Sequence, residues 1–343
     1  MSDYFPWHLN TLTQLLSRAR AKNLPHALIF TGNSGLGKLR FAKQFSQLLL
    51  CESIDISAED YQEPPRPCGV CHSCNLFRAD NHPDLNVVVS ESEQGTIAVD
   101  QIRQLRDFFT LKSQGVGAKI AIITAADKMN KFAANSLLKT LEEPTKNSYL
   151  LLISHSPYRL LPTIRSRCQL INFTNPNVND AVAWLETQGV KLETKEMLQL
   201  LNIAGGAPLT ALQYAKSNTL NQYYDFISLL EKLLLKQLDP VSAGKKCGGL
   251  GLHLVTNWLA ICTNTLIRLK LGAVPVDISN GDIGLGNHAI IADLDVISLY
   301  RYLDKLIDYT RLLETQINTQ LALEDILIEW SQLIDAPTRK LIA

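Results

Sequence analysis

The sequence has no excess of charge of either sign. Its 33 Lys and Arg residues balance 33 Asp and Glu residues in a chain of 343, so the formal net charge is zero. A protein that binds nucleic acid by itself usually carries a basic surface, so this balance argues against an independent nucleic-acid-binding module. The short basic stretch 18–22 is interpreted as the solvated face of a helix.

Long apolar runs are also missing. No stretch reaches the roughly 18 residues that a membrane-spanning helix needs. The first residues, MSDY, are neither basic nor followed by an apolar core, as they would be in a signal peptide. We therefore expect a soluble, cytoplasmic protein with no membrane partner. In that compartment the seven cysteines indicate metal binding or free thiols rather than disulfides.

Apolar segments alternate with helix-periodic segments in the first half of the chain. Buried strands are predicted at 26–31, 85–89, 119–124, 149–153 and 168–173. A helix is predicted before the first strand at 10–22, with Asn10 or Thr11 as cap, and helices are predicted between the strands at 38–50, 99–111 and 130–143. This alternation predicts a parallel α/β sheet with right-handed connections. The polar segment 52–83, which has four prolines, is predicted to be an insertion or loop.

After Phe173 the pattern becomes almost entirely helical. Residues 174–177 (TNPN) are interpreted as a linker. Helix-periodic segments follow at 177–188, 193–203, 207–216, 219–237, 250–272, 290–318 and 321–335. Glycine and asparagine turn residues within 277–288 predict an exposed loop.

A phosphate-binding loop is predicted directly after the first strand. Residues 32–38 (GNSGLGK) fit G-x-x-x-x-G-K, in which backbone N–H groups and Lys38 cradle phosphates, with Gly32, Gly35 and Gly37 shaping the turn. The next position needs Ser or Thr for Mg²⁺ but holds Leu39, which cannot ligate a hard cation. An acidic residue is also expected at the end of a neighbouring strand, yet 119–124 runs into Thr124-Ala125. ATP binding is therefore expected to be weak or absent, and hydrolysis is not expected. Asp127 is predicted to cap a turn with Lys128.

Four cysteines have the spacing of a metal site. They are Cys51, Cys68, Cys71 and Cys74, with two overlapping C-x-x-C steps. Four thiolates suit tetrahedral Zn²⁺ and leave no open position, so the site is predicted to be structural. His72 and His82 are the runner-up ligands. A redox role for the C-x-x-C steps is the weaker alternative.

Two charged motifs remain. Arg167, in the segment IRSRC before the last strand, could form a salt bridge within its own domain or reach across a subunit boundary as an arginine finger; spacing alone favours the salt bridge. Glu142 and Glu143 are predicted in the last turn of a helix, where the helix dipole favours cations. Their position indicates a purpose other than helix stability.

Together these segments resemble bacterial clamp-loader subunits of the AAA+ class. The resemblance rests on 24–30 (LPHALIF), the loop at 32–38, the cysteine cluster, 134–144 (ANSLLKTLEEP) and 166–168 (SRC), and it covers residues 1 to about 215. The ATPase (gamma/tau) type in this family has Ser or Thr at the end of the loop, Asp-Glu after the second-motif strand and a nucleotide-sensing arginine in the lid. Here these places hold Leu39, Thr124-Ala125 and a leucine within 206–212. The three losses favour the non-hydrolysing delta-prime type, although retained Lys38 departs from its most degenerate members.

The resemblance implies an architecture and a role. The expected fold is an AAA+ parallel-sheet core (1–173) with a zinc insertion (51–74), a helical lid (174–216) and an all-α collar (217–343). The expected partners are gamma/tau and delta subunits and, through the assembled complex, a sliding clamp and primed DNA. The resemblance also implies that Arg167 reaches the ATP site of an adjacent gamma/tau subunit. Two alternatives stay open: an ATP-hydrolysing gamma/tau-type subunit, and a zinc-dependent nucleic-acid module.

Overall fold

The computed structural model describes residues 4–54, 65–90, 95–272, 292–312 and 318–334. The chain divides into two compact units. The first contains Met1–Ala183 and Gly206–Thr210, and the second contains Trp184–Gly205 and Ala211–Ala343. The predicted loop at 277–288 lies outside the described residues.

A five-stranded sheet forms the centre of the first unit. Its strands are β1 (Ala27–Thr31), β2 (Leu85–Val88), β3 (Lys119–Ile123), β4 (Ser148–Ile153) and β5 (Gln169–Asn172). All pairings are parallel, and the spatial order is β2-β3-β4-β1-β5. The predicted strands are confirmed to within one or two residues at each end.

Helices cover both faces of the sheet, which explains why its central strands are apolar throughout. The helices of this unit include α1 (Leu9–Arg20), α2 (Lys38–Leu50), α3 (His72–Arg78), α4 (Val99–Thr110), α5 (Lys131–Glu142) and α6 (Pro162–Arg165). Successive strand side chains point to opposite faces. Phe30 and Ile122 therefore pack with residues of α1 and α2, while Ile29 and Ile123 pack with residues of α4 and α5.

One local prediction in this unit was wrong, and one segment contains a helix that was not predicted. Helix α1 begins at Leu9, with neither Asn10 nor Thr11 as its cap, because the 3₁₀ turn Pro6–His8 leads directly into it. The segment 52–83 contains helix α3, whose N-cap Cys71 accepts a hydrogen bond through its sulfur from the backbone N–H of Cys74. A seven-residue helix shows too little periodicity to be seen in a polar segment.

The described part of the second half of the chain is helical, as predicted. The helices are α7 (Val178–Thr187), α8 (Thr194–Ile203), α9 (Pro208–Lys216), α10 (Thr219–Leu234), α11 (Pro240–Cys247), α12 (Leu252–Lys270), α13 (Val296–Leu312) and α14 (Thr319–Ser331). Trp258 and Trp330 are fully buried in the second unit, where Nε1 of Trp330 donates to the Leu230 carbonyl at 3.2 Å.

Helix α11 was not predicted from the sequence. It begins with Pro240 at its first position, and the Asp239 carboxylate caps it by accepting from the N–H of Ser242 at 2.9 Å. Among the described residues, no single helix is long and apolar enough to cross a membrane; Pro240–Leu250 and Leu252–Lys270, bent by 115°, meet the criterion only when taken together.

Candidate functional sites: phosphate loop, cysteine cluster and arginine

The predicted phosphate loop lies at the carboxyl end of β1, between the ends of β4 and β5. Ligands bind to open parallel sheets at this edge. At two positions the loop backbone passes so close to other residues that only glycine fits. A Cβ on Gly32 (φ 127°) would lie 2.2 Å from the Phe173 carbonyl oxygen, and a Cβ on Gly35 (φ 78°) would lie 2.0 Å from Oγ1 of Thr210. Gly37 also has a positive φ, of 86°.

Lys38 is buried inside this loop. Its Nζ donates to the carbonyls of Gly32 (2.5 Å) and Asn33 (2.6 Å), and it lies 3.0 Å from Nδ1 of His155. Burial lowers the pKa of Lys38 to about 8, and the charge of Asp127 partly offsets this effect. The ammonium is therefore directed at protein acceptors of the loop itself.

Sequence reasoning missed His155. It follows β4, and the pairing of Phe30 with Ile153 brings it beside the loop. Burial, followed by the charge of Lys38, lowers the pKa of His155 below its usual range. Its position after a predicted strand was a signal, but only the strand order identifies β4 as the neighbour of β1.

The two positions that supply metal ligands in phosphate loops of this kind, residue 39 and the end of β3, offer no free oxygen ligand. Leu39 places an apolar side chain there, 38% exposed. The hydroxyl of Thr124 donates to the Val88 carbonyl at 3.2 Å. Asp127 lies in the turn Ala126–Lys128, but its Oδ1 is buried and has no hydrogen-bond partner among the described residues. The predicted capping role of that carboxylate oxygen is therefore wrong.

The four predicted cysteines come together in one cluster. Their Sγ atoms all lie within 4.8 Å of one another, and those of Cys51 and Cys71, Cys68 and Cys74, and Cys51 and Cys74 are 4.0, 3.9 and 3.7 Å apart. Sulfurs at the corners of a zinc tetrahedron, with bonds of about 2.3 Å, would be about 3.8 Å apart. The cluster therefore has the size of a four-thiolate metal site.

Backbone N–H groups support the sulfurs. The N–H groups of Cys71 and Cys74 donate to Sγ of Cys68 and Cys71, both at 3.3 Å. Backbone N–H groups of Val70 and Cys71 lower the pKa of Cys68 to about 6, whereas burial raises that of Cys74 to about 12. A bound cation would favour the thiolate form of all four.

The runner-up ligand His82 has a different role. Its Nδ1 accepts from the N–H of Asp84 at 3.1 Å, and its Nε2 lies 2.9 Å from Oγ of Ser73. Because Ser73 donates its own proton to the Leu50 carbonyl at 2.6 Å, Nε2 of His82 is the donor to Ser73. Neither His72 nor His82 belongs to the group of ligand atoms, so that alternative was wrong for the described residues. His82 instead joins helix α3, through Ser73, to the backbone at Asp84, while Ser73 itself joins α3 to the residue before Cys51.

Arg167 lies between α6 and the start of β5, and its side chain is 38% exposed. Its Nη2 is 2.9 Å from Oε1 of Glu142, and its Nη1 donates to the Thr163 carbonyl at 3.1 Å. The salt bridge within the domain is thus present. Glu142 is the last residue of α5, as predicted, and its partner was not predicted.

The fold and the loop define the class of the protein. A parallel sheet in the order β2-β3-β4-β1-β5 with G-x-x-x-x-G-K after β1, followed by a helical region, is an AAA+-type core with helical additions. The family model described as "DNA polymerase III, delta subunit" matches residues 7–177, and "DNA polymerase III, delta subunit, C terminal" matches residues 217–332.

Relatives identify the family. The DNA polymerase III subunit delta′ of Pseudomonas aeruginosa is 30% identical over 97% of this chain and 99% of its own length. That of Haemophilus influenzae is 33% identical over 66% of each chain. The chain therefore belongs to the family of DNA polymerase III delta′ subunits, and the resemblance seen in the sequence is confirmed. A gamma subunit-related protein of Thermotoga maritima aligns over 95% of this chain and 99% of its own, with a TM-score of 0.45 and 15% identity.

Proposed function

We propose that this chain is the non-hydrolysing delta′ subunit of a clamp loader and supplies Arg167 to the ATP site of an adjacent subunit. One observation carries the proposal. Arg167 lies before the amino-terminal end of β5, whereas the phosphate loop of the same chain follows the carboxyl-terminal end of the neighbouring strand β1. Gln169, the first residue of β5, pairs with Leu28, four residues before Gly32, and Arg167 lies in the turn that precedes Gln169. At about 3.3 Å per strand residue, Gln169 is already roughly 13 Å from Gly32 along the strand direction. A guanidinium there is too far away to act on a phosphate in its own loop.

The side chains at the two positions that would hold a metal ion beside the loop support the proposal that this chain does not hydrolyse ATP. The side chain at position 39 is an exposed leucine, and the hydroxyl of Thr124 is bonded to a backbone carbonyl. Phosphoryl transfer in this class depends on a metal ion that bridges the phosphates. The ammonium of Lys38 is already bonded within the loop. We therefore expect ATP binding by this chain to be weak or absent.

The cysteine cluster is proposed to hold a structural Zn²⁺. Its support is the match between the sulfur separations of 3.7 to 4.0 Å and the edge of a zinc–thiolate tetrahedron. Cys51, Cys68, Cys71 and Cys74 would be the ligands. Four thiolates leave no place for a reacting water, so the ion would stabilise the segment around α3. Zinc analysis of the purified protein should give about one equivalent, and less than about half would contradict the proposal.

The proposal extends to organisation and partners. Residues 1–173 would form the AAA+ core, 174–216 the lid and 217–343 a collar that holds subunits together. The partners would be gamma/tau and delta subunits, with a sliding clamp and primed DNA reached through the assembly. ATP bound by neighbouring subunits would drive clamp opening.

An ATPase assay tests the proposal. The purified chain alone should release no phosphate above background. In the complex reconstituted with gamma/tau and delta, Arg167→Ala should lower ATP turnover at the adjacent site by about 10³-fold or more. Arg167→Lys should not rescue it, because an ammonium lacks the planar fork of the guanidinium. Arg165→Ala, two residues away and exposed, is the matched control.

Two results would count against it. Unchanged turnover with Arg167→Ala, in a complex of normal composition, would remove the finger assignment. Steady phosphate release by the chain alone, abolished by Lys38→Ala, would instead support the ATP-hydrolysing gamma/tau-type alternative.

A further inference from the structure

The guanidinium of Arg167 has a fixed partner within its own chain. Nη2 lies 2.9 Å from Oε1 of Glu142, while Nη1 donates to the Thr163 carbonyl at 3.1 Å and to Oγ of Ser166 at 3.4 Å. The side chains of Arg167 and Glu142 are 38% and 51% exposed. The pair is therefore open to solvent, and a group on another subunit could approach it.

The backbone at Glu142 is held in place by the core. The preceding residue, Leu141, is buried, and its carbonyl lies 3.1 Å from Nε2 of His26, the residue before β1. Glu142 thus projects from the fixed end of α5 toward Arg167. A carboxylate at the carboxyl end of a helix is disfavoured by the helix dipole. Its contact with Arg167 gives this acidic residue a reason to be there.

We infer that Glu142 is the resident counter-ion of Arg167, which a phosphate of the adjacent subunit must displace. The inference rests on the proposed function of Arg167. A half-exposed ion pair is weak and can be exchanged at little cost. A guanidinium that binds phosphate through two parallel N–H groups, in a site closed to water, forms a stronger pair. Glu142 therefore positions the guanidinium in the free subunit and competes with phosphate in the assembly.

Glu142→Gln removes the competing charge while keeping the side-chain shape. In the reconstituted complex, kcat/KM for ATP should rise by about two- to five-fold, since the lost competitor is a surface ion pair. The gain should shrink as salt is raised, because salt screens exposed pairs. A variant that only disturbed the fold would lower kcat/KM and would lack this salt dependence.

The neighbouring Glu143 provides a matched control. It is exposed, has the same chemistry, and forms no ion pair in the described part of the chain. Glu143→Gln should leave kcat/KM within about 1.5-fold of the unsubstituted complex. The double variant Glu142→Gln/Arg167→Ala should match Arg167→Ala alone, because Glu142 acts only through the guanidinium.

The outcomes separate this inference from the proposed function. If Arg167→Ala leaves turnover unchanged, the finger assignment fails and the role of Glu142 fails with it. Suppose that Arg167→Ala lowers turnover, but that kcat/KM of the Glu142→Gln complex equals or falls below that of the unsubstituted complex at every salt concentration. The arginine-finger assignment then stands and the inference about Glu142 is overturned. An equal rise in kcat/KM with Glu143→Gln would also overturn the inference. The rise would then come from the loss of any negative charge in this region and not from the contact between Glu142 and Arg167.

Discussion

The Nζ atom of Lys38 lies 3.0 Å from Nδ1 of His155, although 117 residues separate them in the chain. The contact exists because β1 and β4 are parallel neighbours whose carboxyl ends meet at one edge. Nδ1 accepts from the ammonium, so His155 is neutral and carries its proton on Nε2. The loop therefore holds a buried cation whose acceptors are two carbonyls and an uncharged ring.

Lys38→Met should change the free energy of unfolding by no more than about 2 kcal/mol, because two effects oppose each other. The pKa of about 8 means that the folded surroundings disfavour the ammonium by about 3 kcal/mol. The carbonyls of Gly32 and Asn33, left without their donor, would cost about 1–3 kcal/mol. Urea unfolding at pH 7 measures the difference.

Lys119 is the matched comparison, because it is also buried. Its Nζ donates to the Phe108 carbonyl at 3.0 Å and lies 3.8 Å from Oδ1 of the fully buried Asp84. Lys119→Met would leave that carboxylate without its cation, and we expect a loss of about 3–5 kcal/mol. If Lys38→Met proved as costly, the cation in the loop would be a structural element and our account of it would be wrong.

Stability should fall as the solution is acidified, and His8 should account for a measurable part of the loss. His8 is fully buried among the rings of Phe5, Trp7, Phe41 and Phe173. Burial lowers its pKa to about 4, so the folded form favours the neutral ring. Below the pKa of about 6.5 that His8 has in the unfolded chain, the unfolded chain binds a proton at His8 that the native chain does not bind. The stability that His8 contributes is therefore present above about pH 6.5 and is lost toward pH 4.

His8→Leu isolates this contribution. Between pH 7.5 and 5 the unsubstituted chain should lose about 2 kcal/mol more of its free energy of unfolding than the variant does. The slope against pH is the readout, so a constant cost of the substitution does not matter. The exposed His253→Leu serves as control and should follow the unsubstituted chain. Parallel pH curves for His8→Leu and the unsubstituted chain would refute the prediction.

Ser73→Ala should weaken metal binding by about 10-fold or more without removing a ligand. The hydroxyl joins the Leu50 carbonyl to Nε2 of His82 and thereby holds the residues that precede Cys51 and Cys74. Competition with a chromophoric zinc chelator measures the affinity. Cys71→Ser should reduce binding further, because it removes a thiolate.

Ser46→Ala is the control for loss of a buried hydroxyl. Ser46 is fully buried and donates to the Ala42 carbonyl of its own helix at 2.7 Å. Zinc affinity should be the same as in the unsubstituted chain. Equal affinities for Ser73→Ala and Ser46→Ala would show that the link through His82 does not support the cysteine cluster.

Those parts of the protein whose signals are local could be predicted from the amino-acid sequence alone. The central strands are apolar at every position because both faces of the sheet are covered, so β3 and β4 could be read from composition. The four cysteines could be grouped from spacing, because two C-x-x-C steps allow thiolates to reach one ion. The loss of a hydroxyl at position 39 was likewise visible in the chain alone.

Contacts between residues far apart in the sequence depend on how the whole chain packs, and local patterns did not predict them. The order β2-β3-β4-β1-β5 brings His155 next to Lys38. Packing also brings Glu142 into contact with Arg167. Arg167 lies at the amino-terminal ends of the strands, whereas the phosphate loop lies at their carboxyl-terminal ends. The use of His82 as a bridge rather than a ligand also depends on packing, since both of its nitrogens are engaged by residues from different segments. Periodicity and spacing reflect which side of a single segment is buried in the core. Strand order, in contrast, follows from the packing of the whole chain.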